Sequence, residues 1–183
     1  MELDLRGKRA ILTGPAKGMG AAITRAFASE GTHLALFARD TDAVAELAAE
    51  VRCMGVEARV VACDVTDPAT ARAAVADVAR AWDGQIDILV NIAGGTGPVG
   101  ASGVETTEAE FDEIVTLNQR GPFTMIRAVA PYMQARKSGA ASSAARSPLS
   151  SILIPALPAT ASSTSRRTCR RPSSPPRRRG PRA

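Results

Sequence analysis

Aromatic residues are scarce in this sequence, at 3% of 183 residues, and there is a single His. Ala, Val, Leu and Ile must therefore supply most of the core, and a hydrophobic fraction of 45% is enough for one globular domain of this length. The three cysteines, Cys53, Cys63 and Cys169, have neither metal-ligand nor paired spacing. The sequence thus predicts no metal site, and ordinary thiols in a reducing compartment.

Long apolar runs are also missing. No stretch approaches the roughly 18 apolar residues that a membrane helix needs. Asp4, Arg6, Lys8 and Arg9 interrupt the start of the chain, which excludes a secretory signal of the usual form. We therefore expect a cytoplasmic protein with no membrane partner.

Charge is distributed very unevenly. Residues 138–183 contain nine Arg and no Asp, Glu or Lys, which leaves 14 Lys and Arg against 18 Asp and Glu in residues 1–137. Ser, Ala, Arg and Pro make up 35 of these last 46 residues, and the one apolar island, Leu149–Leu157, is interrupted by Pro155. Such a segment buries too little apolar surface to offset its ordering entropy. We predict a folded domain over residues 1–140 and a disordered basic tail over residues 141–183.

Apolar runs alternate with helical periods over the first 137 residues. The predicted strands are Lys8–Thr13, His33–Phe37, Glu57–Ala62 and Ile86–Asn91, and the predicted helices are Met19–Glu30, Thr41–Met54, Asp67–Trp82 and Thr107–Lys137. Strands that alternate with helices of this length form parallel sheets through right-handed crossovers. The predicted fold class is α/β: a Rossmann-type doubly wound parallel sheet of four or five strands, incomplete, followed by the disordered tail.

A glycine-rich turn, Thr13-Gly14-Pro15-Ala16-Lys17-Gly18-Met19-Gly20, joins the first strand to the first helix. Gly14 permits a tight turn, Gly18 lets backbone approach a pyrophosphate, and Gly20 allows helix and strand to pack closely. The helix N-terminus then offers free N–H groups to phosphates. A flexible loop is the alternative, but the position between strand and helix favours nucleotide binding. We therefore predict that residues 1–140 form a dinucleotide-binding domain.

The spacing T-G-x-x-x-G-x-G resembles the glycine motif of the short-chain dehydrogenase/reductase family. Three further motifs resemble that family in order: Cys63-Asp64-Val65, the segment Asp87–Gly94 (D-I-L-V-N-I-A-G), and Asn118 in L-N-Q-R-G-P-F. The resemblance covers about three quarters of the chain, and Ile92 departs from it where relatives have a second Asn. It implies oxidoreduction between NAD(P)(H) and an alcohol or carbonyl substrate, with Asp64 at the adenine, Asn118 as a catalytic relay residue, and a possible homo-oligomer. The implied cofactor-binding residues are Gly14, Lys17, Gly18, Met19, Gly20, Arg39, Asp64, Val65, Asn91, Ala93 and Gly94.

The choice of cofactor follows from charge. NAD sites commonly place a carboxylate at the end of the second strand, where this chain has Ala38 followed by Arg39. Arg39 can form a forked contact with a 2′-phosphate, and Lys17 can add a second positive charge. Alternatively both are solvated cations, with Asp40 partly neutralising Arg39. We therefore predict NADP, with NAD as second choice.

The catalytic half of the family pattern is missing. The resemblance implies a Tyr with a Lys four residues later, and a Ser that holds the substrate oxygen. The one tyrosine, Tyr132, is followed by Arg136 and then Lys137, and neither Ser142 nor Ser151 has a motif around it. We favour a structural role for Tyr132 over a catalytic pair with Lys137, since its helix precedes the strand that should deliver the Ser.

The family pattern stops near Ser138-Gly139, and the bias that follows is typical of GC-rich DNA translated out of frame. We hypothesise a frameshift near Gly139. Shifting the codons of residues 164–167 by one base permits Tyr-Val-Ala-Ser, although Thr168 cannot become Lys in that frame. If the tail is genuine, the alternative is a non-catalytic nucleotide-binding module whose arginines contact nucleic acid or another polyanion. A third possibility is a catalytically dead fragment, or one that forms a partner subunit. Sequence-selective RNA binding is unfavourable because the tail lacks aromatic residues for stacking.

Overall fold

The computed structural model describes residues 3–97, 103–143 and 151–154. The strands are β1 (Arg9–Thr13), β2 (His33–Ala38), β3 (Ala58–Ala62), β4 (Ile88–Asn91), β5 (Gly139–Ser143) and β6 (Ser151–Ile154). The helices are α1 (Gly18–Ser29), α2 (Asp42–Arg52), α3 (Pro68–Ala81), α4 (Glu108–Val115) and α5 (Gly121–Arg136). All four predicted strands and the first three predicted helices are present, with bounds that differ by no more than a few residues.

The six strands form one sheet in the order β3-β2-β1-β4-β5-β6. The first five strands are parallel, and β6 runs antiparallel to β5. The chain first winds from β1 outward through β2 to β3, and then crosses back to place β4 on the other side of β1. This reversal of direction confirms the predicted Rossmann-type doubly wound fold.

Both faces of the sheet are covered by helices. Ile11 and Leu89 point to the side of α3 and α5, where Trp82 and Met125 are also fully buried. On the opposite face, Leu12 and neighbouring side chains pack with residues of α1 and α2. Because the central strands are buried on two sides, their sequences are continuous apolar runs and do not alternate.

The long helix predicted over residues 107–137 is interrupted. A π-helical turn, Thr116–Arg120, separates α4 from α5. α4 begins with a capping box in which the Thr107 hydroxyl accepts from the Glu110 N–H and the Glu110 carboxylate accepts from the Thr107 N–H. The apolar period of the sequence continues through the π turn, so periodicity alone did not indicate it.

Two strands, β5 and β6, include residues of the segment that we predicted to be a disordered tail. β5 crosses the predicted boundary between residues 140 and 141, and β6 lies within the segment that we expected to be disordered. These residues form strands because their backbone pairs with neighbouring strands: Ala141 pairs with Leu89 of β4 on one side and with Ile152 of β6 on the other. The rest of the tail, residues 144–150 and 155–183, lies outside the described residues, and so do Cys169 and the tail arginines. The division into domain and tail stays a prediction.

No helix in the described part of the chain is long and apolar enough to cross a membrane.

Candidate nucleotide-binding site

The predicted site residues meet at one edge of the sheet. Parallel strands end at the same edge, and the segments that follow β1, β2, β3 and β4 carry Gly14, Arg39, Asp64 and Ala93 respectively. β1 and β4 are neighbours in the sheet, and the connection that follows β1 packs on one face whereas the connection that follows β4 packs on the other, so a crevice opens between them. Ligands of doubly wound proteins bind at this topological switch point.

The glycine turn is packed too closely to accept larger residues. A Cβ on Gly20 would lie 2.1 Å from the Gly14 carbonyl oxygen, and a Cβ on Gly14 would lie 2.8 Å from the backbone of Ala93. Gly18 differs, because a Cβ there would meet no atom within 4 Å. The turn is therefore closed towards the protein and open in front of Gly18.

The N-terminus of α1 has no side-chain cap. Lys17 precedes the helix without a capping hydrogen bond, and its first turn contains no acidic residue. By contrast, Asp40 accepts from two N–H groups at the start of α2, Asp67 caps α3, and Thr107 caps α4. Free N–H groups and the partial positive charge of a helix N-terminus are thus available at α1, where phosphate groups bind in this fold.

Thr13, which was not among the predicted site residues, links the end of β1 to the turn that follows β4. The Thr13 hydroxyl accepts hydrogen bonds of 3.1 Å from the N–H groups of both Ile92 and Ala93. Thr13 is 1% exposed, at the end of β1. It fixes the turn after β4 against the glycine turn, and its place immediately before Gly14 was the available signal.

Charged side chains line the β2–β3 side of the site. Arg39 and Lys17 are exposed, and neither forms an ion pair with another described residue. The pKa of Asp64 lies below its usual range, because the Thr66 hydroxyl and the Thr66 N–H donate to its carboxylate, with a smaller contribution from the charge of Arg39. The site thus combines an ionised carboxylate with two cations that form no ion pair with a described residue.

Asn118 lies in the π turn and holds the loop that follows β4. Its amide nitrogen donates to the carbonyl oxygens of Gly95 (2.8 Å) and Ile114 (2.9 Å), and its oxygen accepts from the Gly95 N–H (3.1 Å). A Cβ on Gly94 would lie 2.7 Å from the same oxygen. The side chain is therefore engaged within the protein, and its geometry is that of a clamp between the π turn and the loop.

The other predicted site residues, Met19, Val65 and Asn91, differ in how far they are exposed at the crevice. Met19 is 58% exposed at the start of α1, and Val65 is buried, with its Cγ2 3.1 Å from a Cβ placed on Gly121. Asn91 is 2% exposed, and neither polar atom of its side chain has a partner among the described residues. Asn91 is the buried last residue of β4, immediately before the turn that carries Ala93 and Gly94.

Tyr132 is far from these residues. It is half-buried and packs against the core between the sheet and α5. Fourteen residues of helix separate it from Asn118, or about 20 Å at 1.5 Å per residue. This position supports the structural role that we favoured for Tyr132. Among the described residues there is no group of three or more His, Cys, Asp or Glu that could hold a metal.

The fold and this edge define a dinucleotide-binding α/β protein. The family model "short chain dehydrogenase" matches residues 8–147, and the chain therefore belongs to the short-chain dehydrogenase family, which is a family of oxidoreductases.

Curated relatives match over the same region. A sorbitol dehydrogenase of Cereibacter sphaeroides is 38% identical over 141 residues, which are 76% of this chain and 51% of that protein. A D-threitol dehydrogenase of Mycolicibacterium smegmatis is 38% identical over 139 residues, 76% of this chain and 52% of the relative. The chain thus spans about half the length of the curated relatives it matches.

Solved structures agree with the fold. A metagenomic short-chain oxidoreductase in complex with NADP superimposes with a TM-score of 0.70 at 35% identity, covering 76% of this chain and 61% of that one. An NAD⁺-bound xylitol dehydrogenase gives a TM-score of 0.70 at 33% identity, covering 76% and 53%. Both nicotinamide cofactors thus occur among the structural neighbours.

Proposed function

We propose that this chain binds NADP(H) in preference to NAD(H) and serves hydride transfer between that cofactor and a small alcohol or carbonyl compound. The observation that carries the proposal is the uncapped N-terminus of α1 behind an open Gly18, flanked by Lys17 and Arg39, neither of which forms an ion pair with a described residue. When bound, the nicotinamide supplies or accepts the hydride.

Described residues along the crevice suit the pyrophosphate and the adenine of such a cofactor. N–H groups of Gly18, Met19 and Gly20 would bind the pyrophosphate, and the open space at Gly18 lets the phosphates approach. Asp64, ionised and fixed by Thr66, would accept a hydrogen bond from the adenine amino group. Val65, Asn91, Ala93 and Gly94 complete the proposed wall of the site.

The preference for NADP rests on charge at the end of β2. Ala38 leaves no carboxylate to repel a 2′-phosphate, and the Arg39 guanidinium can bind that phosphate through two N–H groups. Lys17 is exposed at the neighbouring turn. Two positive charges that form no ion pair with a described residue favour NADP, the more negative of the two cofactors.

A cavity of about 320 Å³ lies beside the loop that Asn118 clamps, and Gly95, Ile114 and Leu117 are among its lining residues. Its volume lies at the lower end of the range for small-molecule pockets. We propose this cavity for the alcohol or carbonyl substrate, with Asn118 holding the loop beside it. The catalytic relay role that the resemblance implies for Asn118 stays a prediction, because its amide nitrogen already donates to two backbone carbonyl oxygens.

Fluorescence titration of the chain with NADPH and NADH tests the cofactor preference. We expect tighter binding of NADPH, and Arg39→Gln should reduce this preference by about tenfold or more, the value of one lost charge-assisted contact. Arg25→Gln is the matched control, because Arg25 pairs with Glu50 on the helical surface. Equal affinities in the unsubstituted chain would contradict the proposal.

Turnover is a separate measurement. A panel of small polyols with NADP⁺, and of the matching ketones with NADPH, is followed by the absorbance of the reduced cofactor. Turnover supports the oxidoreductase function of this chain. Cofactor binding without turnover on any member of the panel favours the non-catalytic module instead.

A further inference from the structure

A groove between α3 and α5 gathers three arginines outside the nucleotide site. Arg72 comes from α3, Arg120 ends the π turn, and Arg127 lies two turns into α5. The groove encloses about 210 Å³. Pro68, Phe123 and Thr124 contribute to the same lining.

The charge of this groove contrasts with the rest of the domain. Residues 1–137 contain 14 Lys and Arg against 18 Asp and Glu, whereas none of the described residues that line the groove is acidic. None of its three arginines forms an ion pair within the described part of the chain. Asp67 interacts with Arg72 through its charge, but its carboxylate already accepts from Ala69 and Thr70. The groove therefore has a net positive charge of at least two.

One side of the groove is formed by the apolar ring of Phe123, which also positions the Arg127 side chain before any ligand binds. Phe123 is 46% exposed, and the Arg127 guanidinium carbon lies 5.8 Å from the centre of its ring. This cation–π contact holds Arg127 over the ring and reduces the rotamer entropy that binding would cost. Thr124, 7% exposed, adds a hydroxyl-bearing residue to the lining.

We propose that this groove binds a small organic phosphate monoester, with the phosphate among Arg72, Arg120 and Arg127 and the organic group against Phe123. Guanidinium groups match phosphate oxygens through paired N–H donors, and three of them suit a dianion. The apolar ring adds affinity for an ester that inorganic phosphate lacks. The lining residues of the groove differ from those of the site at the sheet edge.

Isothermal titration calorimetry of the full chain with phenyl phosphate tests the proposal, with inorganic phosphate and benzyl alcohol as comparison ligands. NaCl keeps the ionic strength constant, so that screening does not imitate binding. We expect phenyl phosphate to bind more tightly than inorganic phosphate, and benzyl alcohol to give no measurable heat. Phenyl phosphate that fails to bind would overturn the proposal.

Substitutions locate the binding site. Arg120→Gln and Arg127→Gln should each weaken phenyl phosphate binding by about tenfold. Arg80→Gln, on the same helix as Arg72 but paired with Asp77 on the exposed side, should leave it unchanged. Phe123→Leu should narrow the preference for phenyl phosphate over inorganic phosphate without weakening inorganic phosphate.

Two results would contradict this proposal, because they would place the anion at another site or another occupant in the groove. Loss of phenyl phosphate binding in Arg39→Gln, but not in Arg120→Gln, would place the anion at the nucleotide site. Sedimentation that shows a dimer dissociated by Arg127→Gln would place a second copy of the chain in the groove. NADPH titration of Arg120→Gln keeps the two proposals apart, since the groove and the cofactor edge share no residue.

Discussion

Replacing Gly18 by alanine separates backbone strain from loss of the phosphate site. Gly18 has a φ of +55°, and a Cβ there would meet no protein atom within 4 Å. Gly84 offers a matched control, because its φ is +73° and its Cβ would also be free of contacts. A side chain in the left-handed region costs about 1 kcal/mol. Both Gly18→Ala and Gly84→Ala should therefore lower the free energy of unfolding by about 1 kcal/mol.

The two variants should differ in cofactor binding. The methyl group at Gly18 would occupy the space in front of the uncapped N-terminus of α1, whereas Gly84 lies just before β4, at the opposite edge of the sheet. Displacing a pyrophosphate from one charge-assisted N–H contact weakens binding by about tenfold or more. We expect NADPH affinity to fall in Gly18→Ala and to stay unchanged in Gly84→Ala.

Urea unfolding followed by circular dichroism measures the first effect, and NADPH fluorescence titration measures the second. Unfolding is carried out without cofactor, because a ligand that binds only the folded state would raise the apparent stability. Unchanged NADPH affinity in Gly18→Ala would refute the assignment of this turn to the pyrophosphate. A loss of affinity in Gly84→Ala as large as that in Gly18→Ala would show that strain alone accounts for the effect.

Three further predictions concern buried and titrating groups. Hydrogen bonds from Thr66, first from its hydroxyl, lower the pKa of Asp64 in the folded state. The resulting stabilisation is fully present above the unfolded pKa of about 3.9 and is lost as pH falls through the folded value. Asp64→Asn should thus be less stable than the unsubstituted chain at pH 7, with a difference in urea midpoint that shrinks towards pH 3. Burial raises the pKa of the Cys63 thiol to about 11, so iodoacetamide at pH 8 should modify the exposed Cys53 first, as read by peptide mass spectrometry; equal rates would contradict the buried position. Because the Asn91 amide is buried without a partner among the described residues, Asn91→Leu should raise the urea midpoint, and a lower midpoint would indicate a polar partner for that amide.

The strands and first three helices were predictable because each carries its own local signal. β1, β2 and β4 are continuous apolar runs, and α3 begins with Asp67 and Pro68, a capping residue followed by a favoured first helical residue. The π turn and β6 were not predictable in the same way. The π turn keeps the apolar period of its neighbours, and β6 depends on backbone pairing with β5 in a segment whose composition favours disorder.

The site residues also fall into those that a local motif predicts and those that only the folded chain brings together. Gly14, Gly18 and Gly20 belong to one short motif whose spacing states its geometry, and Arg39 and Asp64 follow strands that end at a common edge. The groove on α3 and α5 had no such signal, because Arg72 and Arg120 are distant in sequence and meet only when the helices pack. The clamp made by Asn118 was also hidden, since its partner Gly95 is brought close by the π turn.

The strand order has a consequence for how the chain folds. β1 occupies the middle of the sheet, paired with β2 on one side and with β4 on the other, and the N–H of Arg9 bonds to Asp87, 78 residues away. During synthesis, β1, β2 and β3 can assemble early, but the second edge of β1 stays unpaired until β4 has emerged. Contacts of such long range slow folding, and an open apolar edge invites pairing with other chains. Refolding yield should therefore fall as protein concentration rises, and the central strand is where intermolecular pairing would begin.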